Sequence, residues 1–349
     1  MARDMIIVTG SCGRIGTSVV RKLGSKYQII GFELLKAIYA EPSEELVPVD
    51  LSSDESVAQA FIHIRHSYGN RIAAVIHLAA YYSFATKHSE KYEEITVQGT
   101  VRLLKALEEF EVGQFIFSST MLVYAPGEVG VSINENSLVN PKWDYPASKV
   151  RTEEMIRQMR GKTKTVILRI AGVYDDHCHS IPISHQIQRI YEKQLESRLF
   201  SGNLNHGAAF LHMKDLIDLI ELSVEKRAEL PDEVVLLVGE SKTLSYDQLQ
   251  RHISKLIYGY EIKTWCVPKW VAKIGAWLQA HLPFFPTPFI KPWMIDLADD
   301  HYELDVSLAE KLLGWKPQHS LEEVLPKIIQ ELKDNPEHWY KMNQLKYRK

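Results

Sequence analysis

The chain has 349 residues, 45% of them hydrophobic and 24% charged, which is typical of a globular protein with one large domain and a smaller lobe. Its 41 basic and 44 acidic residues give a formal charge of −3, so no strong basic field suggests that the chain binds nucleic acid. Three cysteines are too few for a disulfide framework, so we expect a reducing, cytoplasmic location. No signal peptide is expected, and no apolar run reaches the ~18 residues of a membrane-spanning helix.

Short apolar segments alternate with helix-like segments through the first half of the chain. The predicted strands are Met5–Thr9, Gln28–Glu33, Leu46–Val49, Ala73–Ala79, Gln114–Ser118 and Thr165–Arg169. The predicted helices are Ile15–Leu23, Asp54–Tyr68, Glu90–Phe110 and Ala147–Arg160. Strands that are apolar along their whole length are typical of a parallel sheet covered on both faces. The alternation therefore predicts an α/β fold with a Rossmann-type, doubly wound parallel sheet.

A glycine-rich loop follows the first predicted strand and opens the first predicted helix. Its glycines are spaced Gly-x-x-Gly-x-x-Gly, a spacing that allows a tight turn, close approach of phosphates and packing of helix on strand. A pyrophosphate would then lie at the positive end of the helix. The predicted contacts with a dinucleotide in this loop are Gly10, Cys12, Gly13, Arg14, Ile15 and Gly16.

Carboxylates end the second and third predicted strands. Glu33 lies near the ~20-residue spacing at which an acid binds the adenosine ribose, although a solvated strand end is the alternative. A carboxylate there repels a 2′-phosphate and favours NAD over NADP, while Arg14 and Lys36 keep NADP open. Asp50, followed by Leu51, could accept from the adenine amino group, with a turn or helix cap as its alternative.

The ends of the next two strands supply small residues and hydroxyls. Leu78, Ala79 and Ala80 follow the predicted fourth strand, where small residues would let the adenosine half of a dinucleotide lie against the backbone. His77 before them is predicted to be a packed histidine. The fifth strand ends in Ser118, Ser119 and Thr120, at the edge of the sheet where ligands bind. Thr120 could donate to a substrate oxygen, although clusters of serine and threonine usually form helix caps or turns.

A tyrosine and a lysine lie four residues apart at Tyr145 and Lys149. If the segment is helical, the phenol and the ammonium share one face. Tyrosine has an ordinary pKa near ~10, and a neighbouring ammonium lowers that pKa and makes the phenol a usable base. Lys149 could also hold the nicotinamide ribose. The alternative is an exposed tyrosine and a surface lysine.

These motifs together resemble the extended short-chain dehydrogenases/reductases of the NAD-dependent epimerase/dehydratase family. The resemblance rests on the glycine loop, on Ser118-Ser119-Thr120 and on Tyr145 with Lys149. It continues through Leu168–Tyr174, Phe210–Leu216 and Leu313–Pro317, in the family's order. It implies a catalytic triad of Thr120, Tyr145 and Lys149, with NAD as cofactor and a small molecule as substrate. It also implies a homodimer through the helices that contain Glu90–Phe110 and Ala147–Arg160.

The same resemblance divides the chain. Residues 1–170, with 205–240 returning to the sheet, are the expected NAD-binding domain, and residues 171–204 and 241–305 are the expected substrate-binding lobe. Residues 306–349 are the expected C-terminal helices, of which the tail after Asn335 is predicted to be solvated. The substrate class favoured is a sugar or nucleotide-sugar derivative oxidised at a secondary alcohol. The alternatives are an apolar carbonyl compound, as in the sterol-dehydrogenase-like branch, and a non-catalytic nucleotide sensor.

The chain departs from the family's pattern at several positions. Thr96 replaces a usual asparagine, Ala171-Gly172 replaces an asparagine that touches substrate phosphates, and Ala208-Ala209 replaces an Arg-Asp pair. The last two changes remove contacts that a nucleotide diphosphate would use. The segment Asp175–His179 does not have the spacing of a zinc site, so no metal is expected and a substrate-side loop is predicted.

The stretch Trp265–Ile295 is rich in proline and aromatic residues. One helical face within it carries Trp270, Val271, Ile274, Trp277 and Leu278. Such a face is most often core, so the prediction is that it packs between lobe and sheet. A wall for an apolar substrate and a membrane-surface contact are the alternatives, and no membrane partner is expected.

Overall fold

The structure, a computed structural model, describes residues 3–34, 44–83, 87–281 and 290–347. The strands in those ranges are β1 (Met5–Thr9), β2 (Gln28–Glu33), β3 (Glu44–Pro48), β4 (Arg71–Ile72), β5 (Ala74–His77), β6 (Glu111–Val112), β7 (Gln114–Thr120), β8 (Lys164–Ile170), β9 (Gly172–Tyr174), β10 (Leu199–Phe200), β11 (Phe210–His212), β12 (Glu233–Val238) and β13 (Trp265–Cys266). The α-helices are α1 (Arg14–Leu23), α2 (Asp54–Tyr68), α3 (Gln98–Leu107), α4 (Asp144–Met159), α5 (Ile181–Tyr191), α6 (Met213–Glu225), α7 (Tyr246–Tyr258), α8 (Lys269–His281), α9 (Ser307–Leu313), α10 (Leu321–Asp334) and α11 (Pro336–Met342).

A parallel sheet of seven of these described strands forms the centre of the protein. Its order is β12-β8-β7-β5-β1-β2-β3. The chain builds outward from β1 in one direction and then from β5 in the other, so the sheet changes direction between β1 and β5. Open sheets bind ligands at the carboxyl ends of the strands on either side of this point. The prediction of a doubly wound α/β fold is confirmed.

Helices cover both faces of the sheet. Alternate residues of β1 point to opposite sides, so that Ile6 and Val8 belong to one buried cluster while Met5 and Ile7 belong to another. The first cluster contains side chains of α1, α6 and α9, and the second contains side chains of α2, α3 and α4. Burial on both faces explains why the strands are apolar throughout.

The predicted helix Glu90–Phe110 is not one continuous α-helix. Residues Tyr92–Val97 form a π-helical segment that leads directly into α3. Two threonine hydroxyls participate in local bonds there: Thr96 Oγ1 accepts from the Tyr81 amide at 3.0 Å, and Thr100 Oγ1 donates to the Thr96 carbonyl at 2.6 Å. Side-chain bonds of this kind compete with the regular helical ladder.

The prediction of a solvated C-terminal helix is wrong. Trp339 and Tyr340 on α11 are fully buried in a cluster with side chains of α5, α7 and α10. The Tyr340 hydroxyl donates to the Glu192 carboxylate at 2.9 Å, and the Asn335 side chain caps α11 by accepting from the His338 amide at 3.1 Å. The free energy gained by burying two adjacent aromatic side chains holds the helix against the protein, although most of the residues around them are polar.

The prediction that the apolar face of α8 is core is also wrong. The side chains of this face are 39–67% exposed. They belong to Trp270, Val271, Ile274, Trp277 and Leu278. The helix packs instead through its other side, which contacts the 3₁₀ turn Pro292–Leu297. Two ion pairs hold that side, Lys273 with Asp296 at 2.6 Å and Lys269 with Asp299. No helix in the described ranges is long and apolar enough to span a membrane.

The substitution Gly16→Ala tests the packing of the glycine loop. An added Cβ would lie 2.2 Å from the Gly10 carbonyl oxygen and 2.6 Å from that of Ser11, so backbone must shift. We expect the free energy of unfolding in urea to fall by about 1–3 kcal/mol. Gly275→Ala is the matched control, because no atom lies within 4 Å of its added Cβ. It should stabilise α8 by about 0.5–1 kcal/mol, and a similar gain for Gly16→Ala would contradict the packing described.

Candidate active site

The glycine loop turns at the carboxyl end of β1, beside the point where the sheet changes direction. Gly10 has a φ of +72°, and its amide donates to the Phe32 carbonyl at 2.8 Å. Gly13 is the N-cap of α1 and provides no side chain to cap the helix. The amides of the first turn are therefore available to an anion at the positive end of the helix.

The backbone around this loop is packed too closely for side chains. A Cβ at Gly10 would lie 3.0 Å from the Ala79 amide, just as one at Gly16 would strike the Gly10 carbonyl oxygen. The residues after β5 therefore lie directly beside the loop, with the Ala79 amide donating to Thr9 Oγ1 at 3.2 Å. A cradle of bare backbone at a helix N-terminus fits the pyrophosphate of a dinucleotide.

The two predicted carboxylates have different surroundings. Glu33 reaches back to the glycine loop, where its carboxylate accepts from the Cys12 amide at 3.2 Å and from the Leu34 amide at 3.0 Å. Asp50 accepts from the amide and the hydroxyl of Ser52, at 2.9 and 2.6 Å. Those bonds lower the pKa of Asp50 and make it part of a turn before α2, the alternative that the sequence left open. Lys36 lies outside the described residues.

His77 is a packed residue, as predicted. Its ring nitrogens bond to Thr9 Oγ1 at 2.6 Å and to Thr100 Oγ1 at 2.8 Å, and the residue is fully buried. Burial, together with the charge of Lys149, lowers the pKa of His77 to about 3, so the ring stays neutral. The chain of hydroxyls and imidazole ties the start of the glycine loop to α3, and Ser118 Oγ adds a bond to the His77 carbonyl at 3.2 Å.

The three predicted catalytic residues come together at the carboxyl end of β7. Helix α4 begins at Asp144, so Tyr145 and Lys149 lie on consecutive turns and share a face. The Lys149 ammonium donates to the Ser118 carbonyl at 2.6 Å and lies 5.9 Å from the centre of the Tyr145 ring. Thr120, the last residue of β7, makes a side-chain hydrogen bond with Tyr145.

Burial moves the pKa values of the tyrosine and the lysine in opposite directions. It raises the pKa of Tyr145 to about 12, against which the hydrogen bond with Thr120 acts. It lowers the pKa of Lys149 to about 7, against which the charge of Glu153 acts. Desolvation disfavours the charged form of each group. Neighbouring acid and base groups with perturbed pKa values are typical of a site for proton transfer.

A buried ion pair behind this site was missed by the sequence reasoning. Glu153, one turn after Lys149, pairs with Arg169 of β8 through bonds of 3.1 and 2.6 Å, and the residues are only 1% and 5% exposed. Ser119 Oγ donates to Glu153 at 2.5 Å, and Arg169 donates to the Tyr124 hydroxyl at 2.6 Å. The signal was present, since Arg169 is a charged residue inside an apolar strand, where charges require partners.

Aromatic rings from two other segments, and one at the start of its own helix, surround Tyr145, and the sequence reasoning missed them as well. The rings of Tyr82, Tyr92 and Trp143 lie 4.8, 6.2 and 5.4 Å from it, centre to centre. Trp293 follows at 5.3 Å from Trp143. The reactive phenol therefore lies against these apolar rings, and we call Tyr82, Tyr92, Trp143 and Trp293 the aromatic wall. No local pattern links Tyr82, Tyr92 and Trp293 to Tyr145, because they meet it only in the folded chain.

A cleft lies beside the aromatic wall. It has a volume of about 300 Å³ and is lined by Lys87, Asn140, Pro141, Lys142, Trp293, Asp296 and Leu297. One of its lysines, Lys142, pairs with Asp300 at 2.6 Å. The cleft therefore combines cationic side chains with an aromatic ring that continues the wall around Tyr145.

Arg14 points toward the C-terminal part of the chain. Its guanidinium donates to the His179 and Met342 carbonyls at 3.1 and 3.3 Å. The loop Asp175–His179 is held there too, since His179 bonds to Asp175 at 2.6 Å and His177 to Glu331 at 2.9 Å. No group of three or more metal-ligating side chains that could hold an ion occurs in the described part of the chain.

The positions that depart from the family's pattern lie in apolar surroundings. Ala171 is buried, and a Cβ at Gly172 would lie 2.9 Å from the Phe210 ring. Ala209 is fully buried. These positions supply packing surface and no side-chain hydrogen-bond donor for a phosphate.

A dinucleotide cradle beside Thr120, Tyr145 and Lys149, on a doubly wound sheet, defines a protein of the extended short-chain dehydrogenase/reductase class. The chain belongs to the NAD dependent epimerase/dehydratase family, whose model matches residues 6–239. It is therefore an enzyme that uses a nicotinamide dinucleotide.

Curated relatives span almost the whole chain at low identity. A 3 beta-hydroxysteroid dehydrogenase type 7 from Mus musculus is 24% identical over 93% of this chain and 94% of its own length. A UDP-glucose 4-epimerase from Vibrio cholerae is 24% identical over 91% of this chain and 92% of its own. The relatives therefore include both a steroid dehydrogenase and a sugar-nucleotide epimerase.

Solved structures share the fold. The UDP-glucose 4-epimerase of Thermotoga maritima with UDP-glucose superposes with a TM-score of 0.70, at 22% identity, over 95% of this chain and all of that one. The NAD complex of the Thermus thermophilus UDP-glucose 4-epimerase also has a TM-score of 0.70, at 19% identity, over 94% of this chain and 99% of that one. At these identities the likeness establishes the architecture.

Proposed function

We propose that this protein transfers a hydride between a secondary alcohol, or its ketone, and NAD. The observation that carries the proposal is the contact of Tyr145 with Thr120, beside the buried ammonium of Lys149. We assign the dinucleotide to the sheet domain formed by residues 1–170 and 205–240, and the substrate to the side where the lobe meets Tyr145. The homodimer suggested by the sequence stays a prediction.

Each of the three residues has a distinct role in this proposal. Tyr145 removes the hydroxyl proton in the oxidative direction and returns it in the reductive one. Thr120 orients the phenol and the substrate oxygen. In its protonated form, Lys149 stabilises the phenolate, and its ammonium can donate to a ribose hydroxyl. Bound NAD supplies the hydride acceptor.

Glu33 supports NAD over NADP. Its carboxylate already bonds to the Cys12 amide at the rim of the glycine loop, where the adenosine ribose of a dinucleotide is expected. A negative charge at that position accepts hydrogen bonds from ribose hydroxyls and repels a 2′-phosphate. The loop backbone from Gly10 to Gly16 would hold the pyrophosphate.

Of the two substrate classes left open by the sequence, the aromatic wall favours an apolar or flat-faced alcohol. Tyr82, Tyr92 and Trp143 surround the reactive phenol with apolar surface. The buried Ala171 and Ala209 offer no donor for a diphosphate. The relative named as a 3 beta-hydroxysteroid dehydrogenase is compatible with this class.

A sugar or nucleotide-sugar derivative is the second candidate. The lysines of the cleft beside the aromatic wall, Lys87 and Lys142, would suit an anionic group, and aromatic rings also pack on sugar faces. The relatives named as UDP-glucose 4-epimerases support this class. Net epimerisation or dehydration would start from the same oxidation of a secondary alcohol, with Tyr145 as the base.

The substitution Tyr145→Phe tests the catalytic assignment. It removes the group that carries the proton, so we expect turnover to fall by roughly 10²–10⁴-fold while NAD binding changes little. Turnover is followed by NADH fluorescence over a panel of steroid-like and aromatic alcohols and of nucleotide sugars, and NAD binding by calorimetry. Tyr260→Phe, at an exposed tyrosine, is the matched control and should retain activity.

The panel also separates the alternatives. Turnover of steroid-like or aromatic alcohols alone supports the apolar class, and turnover of nucleotide sugars alone supports the second candidate. Unimpaired turnover in Tyr145→Phe would sink the assignment. Binding of NAD with no turnover of any compound would favour a nucleotide sensor.

The substitution Glu33→Gln tests the choice of dinucleotide. Loss of the negative charge should weaken NAD binding and improve NADP binding, because the repulsion of the 2′-phosphate is removed. Calorimetry with both dinucleotides measures the ratio of their Kd values, which should shift toward NADP by about tenfold, equivalent to ~1.4 kcal/mol. Glu45→Gln, on the neighbouring strand, should leave the ratio unchanged. A wild-type protein that prefers NADP would contradict the role given to Glu33.

A further inference from the structure

The π-helical segment holds the chain on both sides of Tyr82. The Thr96 hydroxyl accepts from the Tyr81 amide at 3.0 Å, and the Tyr92 hydroxyl donates to the Ser83 carbonyl at 3.1 Å. One bond fixes the residue before Tyr82 and the other fixes the residue after it. The backbone position of Tyr82 is therefore set from a single segment, whose departure from the regular helix is of a kind frequent at functional sites.

The same stretch of chain is anchored beside Tyr145. The π-helical segment packs against α4, the helix that carries Tyr145. Just before the segment, the Ser89 amide donates to the Asp144 carboxylate at 3.1 Å, and His88 bonds to that carboxylate at 2.9 Å. Asp144 directly precedes Tyr145 in α4. Because Tyr82 and Tyr145 are tied to one stretch of chain, their relative positions are fixed.

This arrangement holds an exposed aromatic ring against the reactive phenol. The ring centres of Tyr82 and Tyr145 are 4.8 Å apart, and the ring planes meet at 69°. Tyr82 is 44% exposed, whereas Tyr92 and Trp143, which also lie against Tyr145, are 1% and 7% exposed. A substrate that brings its hydroxyl to Tyr145 would therefore meet the Tyr82 ring. Aromatic rings pack favourably on other flat apolar groups.

We propose that Tyr82 makes the site specific for secondary alcohols that carry a flat apolar ring beside the reacting carbon, and that Thr96 and Tyr92 position it. This inference rests on the hydride-transfer function proposed above. It also gives a role to Thr96, the residue that replaces the family's usual asparagine. Thr96 is fully buried, so its hydroxyl serves the Tyr81 amide and does not contact substrate.

Steady-state oxidation with NAD of a flat and a small alcohol tests the role of Tyr82. The probes are 1-(2-naphthyl)ethanol and 2-butanol. We expect Tyr82→Ala to raise KM for the naphthyl alcohol about tenfold, because the ring that packs on it is lost. Its kcat, the kinetics of 2-butanol and the Kd of NAD should stay nearly unchanged. Tyr82→Phe keeps the ring and should match the wild type, as should Tyr260→Ala at an exposed tyrosine.

The positioning role is tested through Thr96. Thr96→Val keeps the size of the side chain but removes the acceptor for the Tyr81 amide, and it should raise the same KM, as should Tyr92→Phe. Thr96→Ser keeps the hydroxyl and should restore wild-type values. If Thr96 acts through Tyr82, Tyr82→Ala/Thr96→Val will have the KM of Tyr82→Ala alone, whereas independent effects would multiply.

Binding of the corresponding ketone, 2-acetylnaphthalene, separates this inference from the proposed function. The protein loaded with oxidised NAD cannot reduce the ketone, so calorimetry measures affinity without turnover. If Tyr82→Ala weakens this binding about tenfold while the wild type oxidises no alcohol, the specificity role stands and hydride transfer fails.

The inference is overturned if the wild type binds neither naphthyl compound, or if Tyr82→Ala leaves both the affinity and the KM unchanged. It is also overturned if Tyr82→Ala impairs 2-butanol equally, or if the effects of Tyr82→Ala and Thr96→Val multiply. Circular dichroism of each variant checks that it is folded.

Discussion

The buried ammonium of Lys149 is the group on which the geometry of the site depends. It is 2% exposed, and it donates to the carbonyl of Ser118 at the end of β7. A charge at this depth requires a partner, and the Ser118 carbonyl together with the field of Glu153 supplies it. The bond fixes α4 against the end of β7, and that places Tyr145, one turn earlier, next to Thr120.

The sheet order brings this group to the nucleotide cradle. Strand β7 lies two positions from β1, separated only by β5. The glycine loop after β1, the small residues after β5 and the hydroxyls at the end of β7 therefore meet at one edge. The Glu153–Arg169 pair ties α4 to β8 behind them, and removing either partner would leave an uncompensated charge under the site.

Patterns along the chain predicted the features that depend on residues close together in sequence. Apolar strands bounded by turns predicted the sheet, and the spacing of Tyr145 and Lys149 predicted a shared helical face. The enclosure of Tyr145 could not be predicted, because Tyr82, Tyr92 and Trp293 come from separate segments. The periodicity of α8 correctly predicted that the helix has one apolar face, but periodicity does not indicate whether other residues pack against that face. The buried Trp339 and Tyr340 were hidden by the polar residues around them.

The pH dependence of alcohol oxidation, measured with the best substrate of the panel, tests the central claim most directly. If Tyr145 is the base, kcat/KM rises tenfold per pH unit below an apparent pKa, since only the phenolate accepts the proton. The hydrogen bond from Thr120 lowers the pKa of Tyr145, so Thr120→Val should move this rise to higher pH. Thr120→Ser keeps a hydroxyl and should leave the rise in place. An identical profile in all three proteins would contradict the account.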